Sequence, residues 1–284
     1  MFRRQTTGSV ICTSCGVLVG VNDDRCYNCG RRNPGLWGFA PALRSLGNDL
    51  GFVPFVMGAC IILYGLTLLM SGPGIGMRGM GFLAPSLDAL FVFGATGVIP
   101  VFGAGRWWTI LSASWLHGSL LHILFNMMSL RQLAPAVADL YGAGRMVIIY
   151  TAAGVGGFLL SAVAGAYLPN LPFFGRAQIT VGASASISGL LGAVLYYGHR
   201  SGSSMARAYA TQNAIGLVLI GIFMPAINNY AHLGGFGAGY LAAKVLDPLK
   251  PERGDHIAMA LICLGASILS VIVSVLDGLR FFQR

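Results

Sequence analysis

The chain has 284 residues, of which 55% are hydrophobic and 10% charged, whereas a soluble domain carries roughly a quarter charged residues. So few charges cannot solvate the surface of a water-soluble globule, which excludes that class and turns the apolar side chains toward lipid. The formal net charge of +9 raises nucleic acid as a partner, but the charges lie in the wrong places for it, as the loops show below.

The first thirty residues hold four of the six cysteines, as Cys12-x-x-Cys15 and Cys26-x-x-Cys29. Two such knuckles have the ligand count and spacing of a structural four-cysteine zinc site with no open position for chemistry; the competing reading is a redox dithiol pair, which two symmetric knuckles suit less well than a metal cage. Gly16 and Gly30 follow the second cysteine of each pair, where the tight knuckle turn needs a small residue. A head this small cannot bury enough core to fold alone, so the metal is expected to supply the folding free energy. Residues 1–50 contain no uninterrupted apolar stretch of the signal-peptide kind, so the head is expected to stay in a reducing compartment, where metal is favoured over disulfides. What the ribbon binds is not readable. Residues 33–51 read as a linker or an interfacial segment.

A spanning helix needs about 20 mostly apolar residues. Seven runs qualify, near 53–70, 113–133, 145–167, 182–198, 210–226, 230–247 and 257–277. Between the first and second lies a Gly- and Pro-rich segment with Phe91, Phe93, Trp107 and Trp108, a composition that suits the membrane interface. Most basic residues fall on one side: Arg3, Arg4, Arg25, Arg31, Arg32 and Arg44 in the head, then Arg131, Arg145, Arg200, Arg207, Lys244, Lys250 and Arg253 after the even-numbered runs. The other side receives Arg78, Arg106, Arg176, Arg280 and Arg284. This asymmetry predicts a cytoplasmic N-terminus and an outside C-terminus. It also accounts for the basic excess as a topology signal, so no nucleic-acid partner is expected; a prokaryotic plasma membrane is the expected location.

Polar side chains inside lipid are candidates for function. The runs hold almost no carboxylates: Asp139 reads as a loop residue, and Asp247 and Asp277 as helix ends. What remains is His117, His122 and Asn126 in the second run, Ser184, Ser186 and Ser188 in the fourth, and His232 in the sixth. All three runs enter from the outside face, so these groups can converge on one shallow pocket. A serine needs a base within reach to become a nucleophile. Ser184 opens a helix, where free N–H groups suit a developing oxyanion, and His232 can serve as its base. Gly189 and Gly192 on the fourth run, with Gly235 and Gly239 on the sixth, permit close backbone approach. With no intramembrane carboxylate to orient the histidine, the pair reads as a dyad. His117 and His122 lack the HExxH glutamate of a metalloprotease.

His122-Ile-Leu-Phe-Asn126, Gly182-Ala-Ser-Ala-Ser-Ile-Ser-Gly-Leu-Leu-Gly-Ala193 and Ala231-His232-Leu-Gly-Gly235 resemble, in order and spacing, the motifs of rhomboid intramembrane serine proteases, over roughly residues 105–245. The resemblance implies an all-α polytopic membrane protein with a rhomboid-like six-helix core (53–247) and a seventh transmembrane helix with a short tail (248–284), here preceded by the zinc ribbon (1–32) and linker (33–52) read above. It implies Ser184 as nucleophile and His232 as base, with His122, Asn126 and the Ser184 amide as oxyanion hole. Gly182, Ala185 and His117 are expected to border the substrate. Rhomboids cut single-span membrane proteins near the outer face, which makes such proteins and the lipid bilayer the expected partners; no catalytic cofactor is implied. Four positions depart from the pattern: Thr109 stands where an arginine usually follows the tryptophans, and Ala138, with Asp139 adjacent, stands where an acidic residue is usual. Ala185 replaces the usual glycine and is expected to narrow the site, and Ser188 replaces a larger residue that packs on the base, loosening the base and wetting the pocket. Other readings are a catalytically silent rhomboid-like client binder, a channel or transporter, and a ribbon merely anchored by the membrane part. The channel reading requires polar residues at both faces, whereas the cytoplasmic halves are apolar.

Overall fold

The computed structural model describes residues 4–169, 174, 176–224 and 227–281; Arg3, Arg284 and the last two residues of the run at 210–226 lie outside them. In the head, β1 (Ser9–Ile11) and β2 (Leu18–Gly20) form an antiparallel hairpin with Val10 opposite Val19. Val10, Val19 and Val21 are buried with Cys12 and Cys26 in a small core. The chain after the second knuckle stays on this core: Thr13 N–H donates to Pro34 O at 3.2 Å and Gln5 N–H to Gly38 O at 2.9 Å. The short helix α1 (Ala40–Arg44) follows.

The body consists of α2 (Phe52–Ser71), α3 (Leu87–Phe93), α4 (Thr109–Ser112), α5 (Leu120–Tyr141), α6 (Ala143–Tyr167), α7 (Ser184–Ser201), α8 (Ser204–Phe223), α9 (Asn229–Leu246) and α10 (Gly254–Phe281). Each expected run matches one long helix. By length and composition α2 (with the turn to Gly74), α6 and α10 are apolar enough to cross a membrane; Asn126, Ser184 and His232 lie on three other long helices, α5, α7 and α9. The fold is all-α, preceded by the four-cysteine head.

Two helix starts differ from expectation for the same reason. Ser119 is extended and its hydroxyl accepts the His122 N–H, so α5 begins at Leu120 rather than near 113. Ser203 accepts the Ala206 N–H and starts α8 several residues early. Side-chain caps decide where a helix begins, and hydropathy does not register them. Asp139, expected in a loop, lies in the last turn of α5, where Asn48 donates to it. The segment between α2 and α5 is more ordered than its composition implies, since Ser86 caps α3 and the left-handed Gly94 ends it.

The helix α7 is central, buried continuously from Ala185 to Val194 and packed against α5, α6, α8 and α9. Glycine makes the closest crossings. A Cβ on Gly239 would stand 2.2 Å from Gly189 O, one on Gly192 2.2 Å from Phe236 O, and one on Gly235 2.1 Å from Ala185 O. Backbones in van der Waals contact are how helices associate in lipid, where no hydrophobic force drives them together. At the opposite end of the bundle from Ser184, the buried Arg145 guanidinium donates to the carbonyls of Leu246, Asp247 and Lys250. It thereby satisfies the orphan acceptors at the end of α9.

Gly239→Val is expected to destabilise the body by about 3 kcal/mol or more, because the new side chain meets backbone that cannot yield. Gly237→Ala, with nothing within 4 Å of its Cβ, is expected to stay near wild type. Thermal midpoints of both variants in detergent check this contrast.

Candidate functional site

Ser184 is the first residue of α7, and no side chain caps that end. Its hydroxyl lies 2.9 Å from His232 Nε2, although the two residues are forty-eight apart in sequence. His232 is 7% exposed and sits one turn into α9. The Asn228 side chain caps that helix by accepting the Ala231 N–H at 3.1 Å, and its amide donates to Ser161 Oγ at 2.5 Å and Thr180 Oγ1 at 3.3 Å. Asn228 therefore fixes the origin of the helix that carries the histidine. Among the described residues His232 Nδ1 has no hydrogen-bond partner, so the pair has no orienting carboxylate. The helix contacts of α7 with α9 bring the two side chains together.

His122 and Asn126 project from one face of α5, one turn apart. Gly118 N–H donates to His122 Nδ1 at 3.3 Å, which in the neutral ring leaves the proton on Nε2. That Nε2 and Asn126 Nδ2 both face Gly182: a Cβ built there would stand 2.5 Å from the first and 3.7 Å from the second. Gly182 holds φ +126°, a region that L side chains avoid, and its N–H donates to Ala113 O at 2.9 Å. Two side-chain N–H donors thus point at the strand leading into Ser184, beside the free N–H groups of the α7 N-terminus. Such a set can hold an oxyanion formed at a carbonyl attacked by Ser184.

Two of the residues expected to border the substrate are buried beneath the site. His117 precedes α5 instead of lying on it, is fully buried, and packs its ring on His122 at 5.2 Å between centroids. It supports His122 from behind and has no surface to offer a substrate. Ala185 is also fully buried, clustered with Ala113, Phe158 and Ala231, and a Cβ on Gly157 would stand 2.8 Å from its methyl. The methyl faces α6 and α9, so it does not narrow the site; only the Ala185 backbone can take part. Gly182 stays at the site as backbone. Ser188 is 2% exposed and donates to Ser184 O at 2.7 Å, so its hydroxyl is turned to its own helix instead of wetting the pocket. Gly118, Ser119, Ala113 and Asn228 were not singled out from sequence. The Ser119-x-x-His122 spacing and the Asn228 position before a helix were the signals available, both of capping type.

In the head, the Sγ atoms of Cys12, Cys15, Cys26 and Cys29 lie within 4.8 Å of one another. Cys12 and Cys29 approach to 3.8 Å and Cys15 and Cys26 to 3.5 Å, close to the ~3.8 Å edge of a tetrahedron with bonds of about 2.3 Å. Gly16 and Gly30 take φ of +78° and +72°, and their N–H groups close the two knuckle turns onto Cys12 O and Cys26 O. Burial pushes the Cys12 thiol up to about 11, whereas the backbone N–H of Val17 brings Cys15 down to about 6. The donor set and its size fit one tetrahedral metal ion.

Residues 104–248 match the family model described as Rhomboid domain. The chain is 33% identical over 176 residues to RHOMBOID-like protein 4 of Arabidopsis thaliana, covering 61% of this chain and 42% of that protein. It is 31% identical over 186 residues to Rhomboid protease GluP of Bacillus subtilis (strain 168), covering 64% of this chain and 34% of that one. The chain thus spans less than half the length of either relative. The matched domain takes in just over half of the 284 residues and encloses both halves of the Ser184–His232 contact with the donors around it, and on that extent the chain belongs to the rhomboid family.

Proposed function

We propose that this membrane protein is a serine endopeptidase that cleaves transmembrane-segment substrates through a Ser184–His232 dyad. The observation that carries the proposal is the 2.9 Å contact between Ser184 Oγ and His232 Nε2 at an uncapped helix start. Ser184 Oγ attacks the scissile carbonyl carbon while His232 Nε2 takes its proton, and the same proton passes to the leaving amine as the peptide bond breaks. The developing oxyanion is held by His122 Nε2–H, Asn126 Nδ2–H and the Ser184 backbone N–H. Water, deprotonated by His232, then hydrolyses the acyl ester and regenerates Ser184. The name of the Bacillus relative, a rhomboid protease, supports the same reaction.

The charge asymmetry of the loops supports a cytoplasmic head and an active site opening toward the outside, with single-span membrane proteins as substrates. Similarity does not choose among membranes, since relatives come from a plant and a bacterium. In the head, four thiolates with no open position favour zinc in a structural role. The division into head (1–32), linker (33–52), core (53–247) and last span (248–284) belongs to the same reading, with residues 34–38 hydrogen-bonded to the head.

Purified wild-type protein in liposomes is expected to cleave a generic transmembrane substrate and to react with a fluorophosphonate probe. Ser184→Ala and His232→Ala are expected to abolish both. Wild type that binds the substrate without cutting or labelling overturns the protease reading in favour of a client-binding role.

His122→Ala and Asn126→Ala are each expected to lower kcat by about 10²–10³-fold, with KM moving far less. Steady-state kinetics on a fluorogenic transmembrane peptide measures that split.

Elemental analysis is expected to find one zinc per chain in wild type and none in a Cys12→Ser/Cys26→Ser double variant. Residues 4–38 of that variant are expected to become sensitive to limited proteolysis, because the metal supplies most of the folding free energy of so small a unit.

A further inference from the structure

The last helix, α10, lies beyond the residues that match the family domain, yet its hydrogen bonds reach the residue next to a backbone contact of the site. Trp108 Nε1–H donates to Ser274 Oγ at 3.1 Å. The Ser274 hydroxyl lies 3.4 Å from Ser112 Oγ, whose own proton goes to Gly94 O at 2.8 Å. With the Ser112 proton so engaged, Ser274 is the donor in the pair they share. The next residue, Ala113, accepts the Gly182 N–H, the bond that holds the oxyanion strand. Ser274 is therefore joined to the backbone faced by His122 and Asn126 through two hydrogen bonds and the Ser112–Ala113 peptide link.

The position of Ser274 is fixed on α10 itself. Arg106, fully buried, pairs with Asp277 at 2.9 Å and donates to Ser274 O at 2.6 Å and Phe91 O at 2.5 Å. A buried guanidinium must have its donors satisfied, and here α10 supplies two of the partners. Space is equally restricted: a Cβ on Gly94 would come within 2.6 Å of Ser274 Oγ, and one on Gly278 within 2.6 Å of the Val92 backbone.

We propose that Ser274 is a positioning residue for the proposed reaction, setting the Ala113–Gly182 contact and through it the oxyanion donors, so that α10 is part of the catalytic apparatus rather than an appended anchor. The inference rests on Ser184 being the nucleophile.

The test compares Ser274→Ala with Ser267→Ala in the full chain. Ser267 is equally buried on the same helix, but its hydroxyl donates to its own helix at Cys263 O. Ser274→Ala is expected to slow fluorophosphonate labelling of Ser184 and to lower kcat about tenfold, with KM little changed and the thermal midpoint equal to that of Ser267→Ala. Hydrogen exchange at residues 178–186, which includes the Gly182 amide, is expected to quicken in Ser274→Ala alone. Asp277→Asn is expected to reproduce these effects by releasing Arg106. Wild-type labelling and exchange in Ser274→Ala, or equal losses in Ser267→Ala, overturn the proposal. If the wild-type protein fails to label at all, the protease reading fails, and the exchange comparison alone decides whether Ser274 sets the Gly182 contact.

Discussion

The backbones of α7 and α9 touch. A Cβ on Gly239 would stand 2.2 Å from the Gly189 carbonyl oxygen, and one on Gly235 2.1 Å from that of Ala185. At ordinary helix separations of 8–10 Å, a serine hydroxyl on one helix and an imidazole on the next would need flexible, longer side chains or a water between them. Small residues shorten the distance until two short side chains meet directly. Gly157 on α6 extends the same arrangement, since it faces both Ala231 O and the Ala185 methyl. A bulky residue at any of these positions would part Ser184 from His232 before it touched either.

The candidate site is polar chemistry buried in an apolar body, and its groups are held by hydrogen bonds from neighbouring segments, side chain and backbone alike. Asn228 caps α9 and reaches Ser161 and Thr180. Gly118 sets the His122 ring, and Ala113 holds Gly182. These are neutral hydrogen bonds in a low-dielectric setting, where each is stronger than in water and an unmet one is expensive. Rigidity at the site follows from satisfied polar groups as much as from packing.

Much of this was legible in the sequence because lipid exposure makes polar residues conspicuous. Ser184, His232, His122 and Asn126 stood out within apolar runs, and the glycine spacing told which runs approach. What could not be read depends on helix phase and on caps. His117 fell inside an apolar run although Ser119 starts the helix two residues later. The sequence leads one to expect the Ala185 methyl at the substrate, whereas its direction is set by where Gly157 and Ala231 lie, which no local pattern encodes. The serines of α10 scarcely lower the hydropathy of so long an apolar helix, so their common face toward Trp108 and Ser112 went unnoticed.

The head and Ser184 lie at opposite ends of the bundle. The approach to α2 is held to the end of α5 by Asn48 and Asp139, while Ser184 begins α7, an 18-residue helix about 27 Å long. A change at the four-cysteine cluster therefore reaches Ser184 only as strain or tilt carried along the helices.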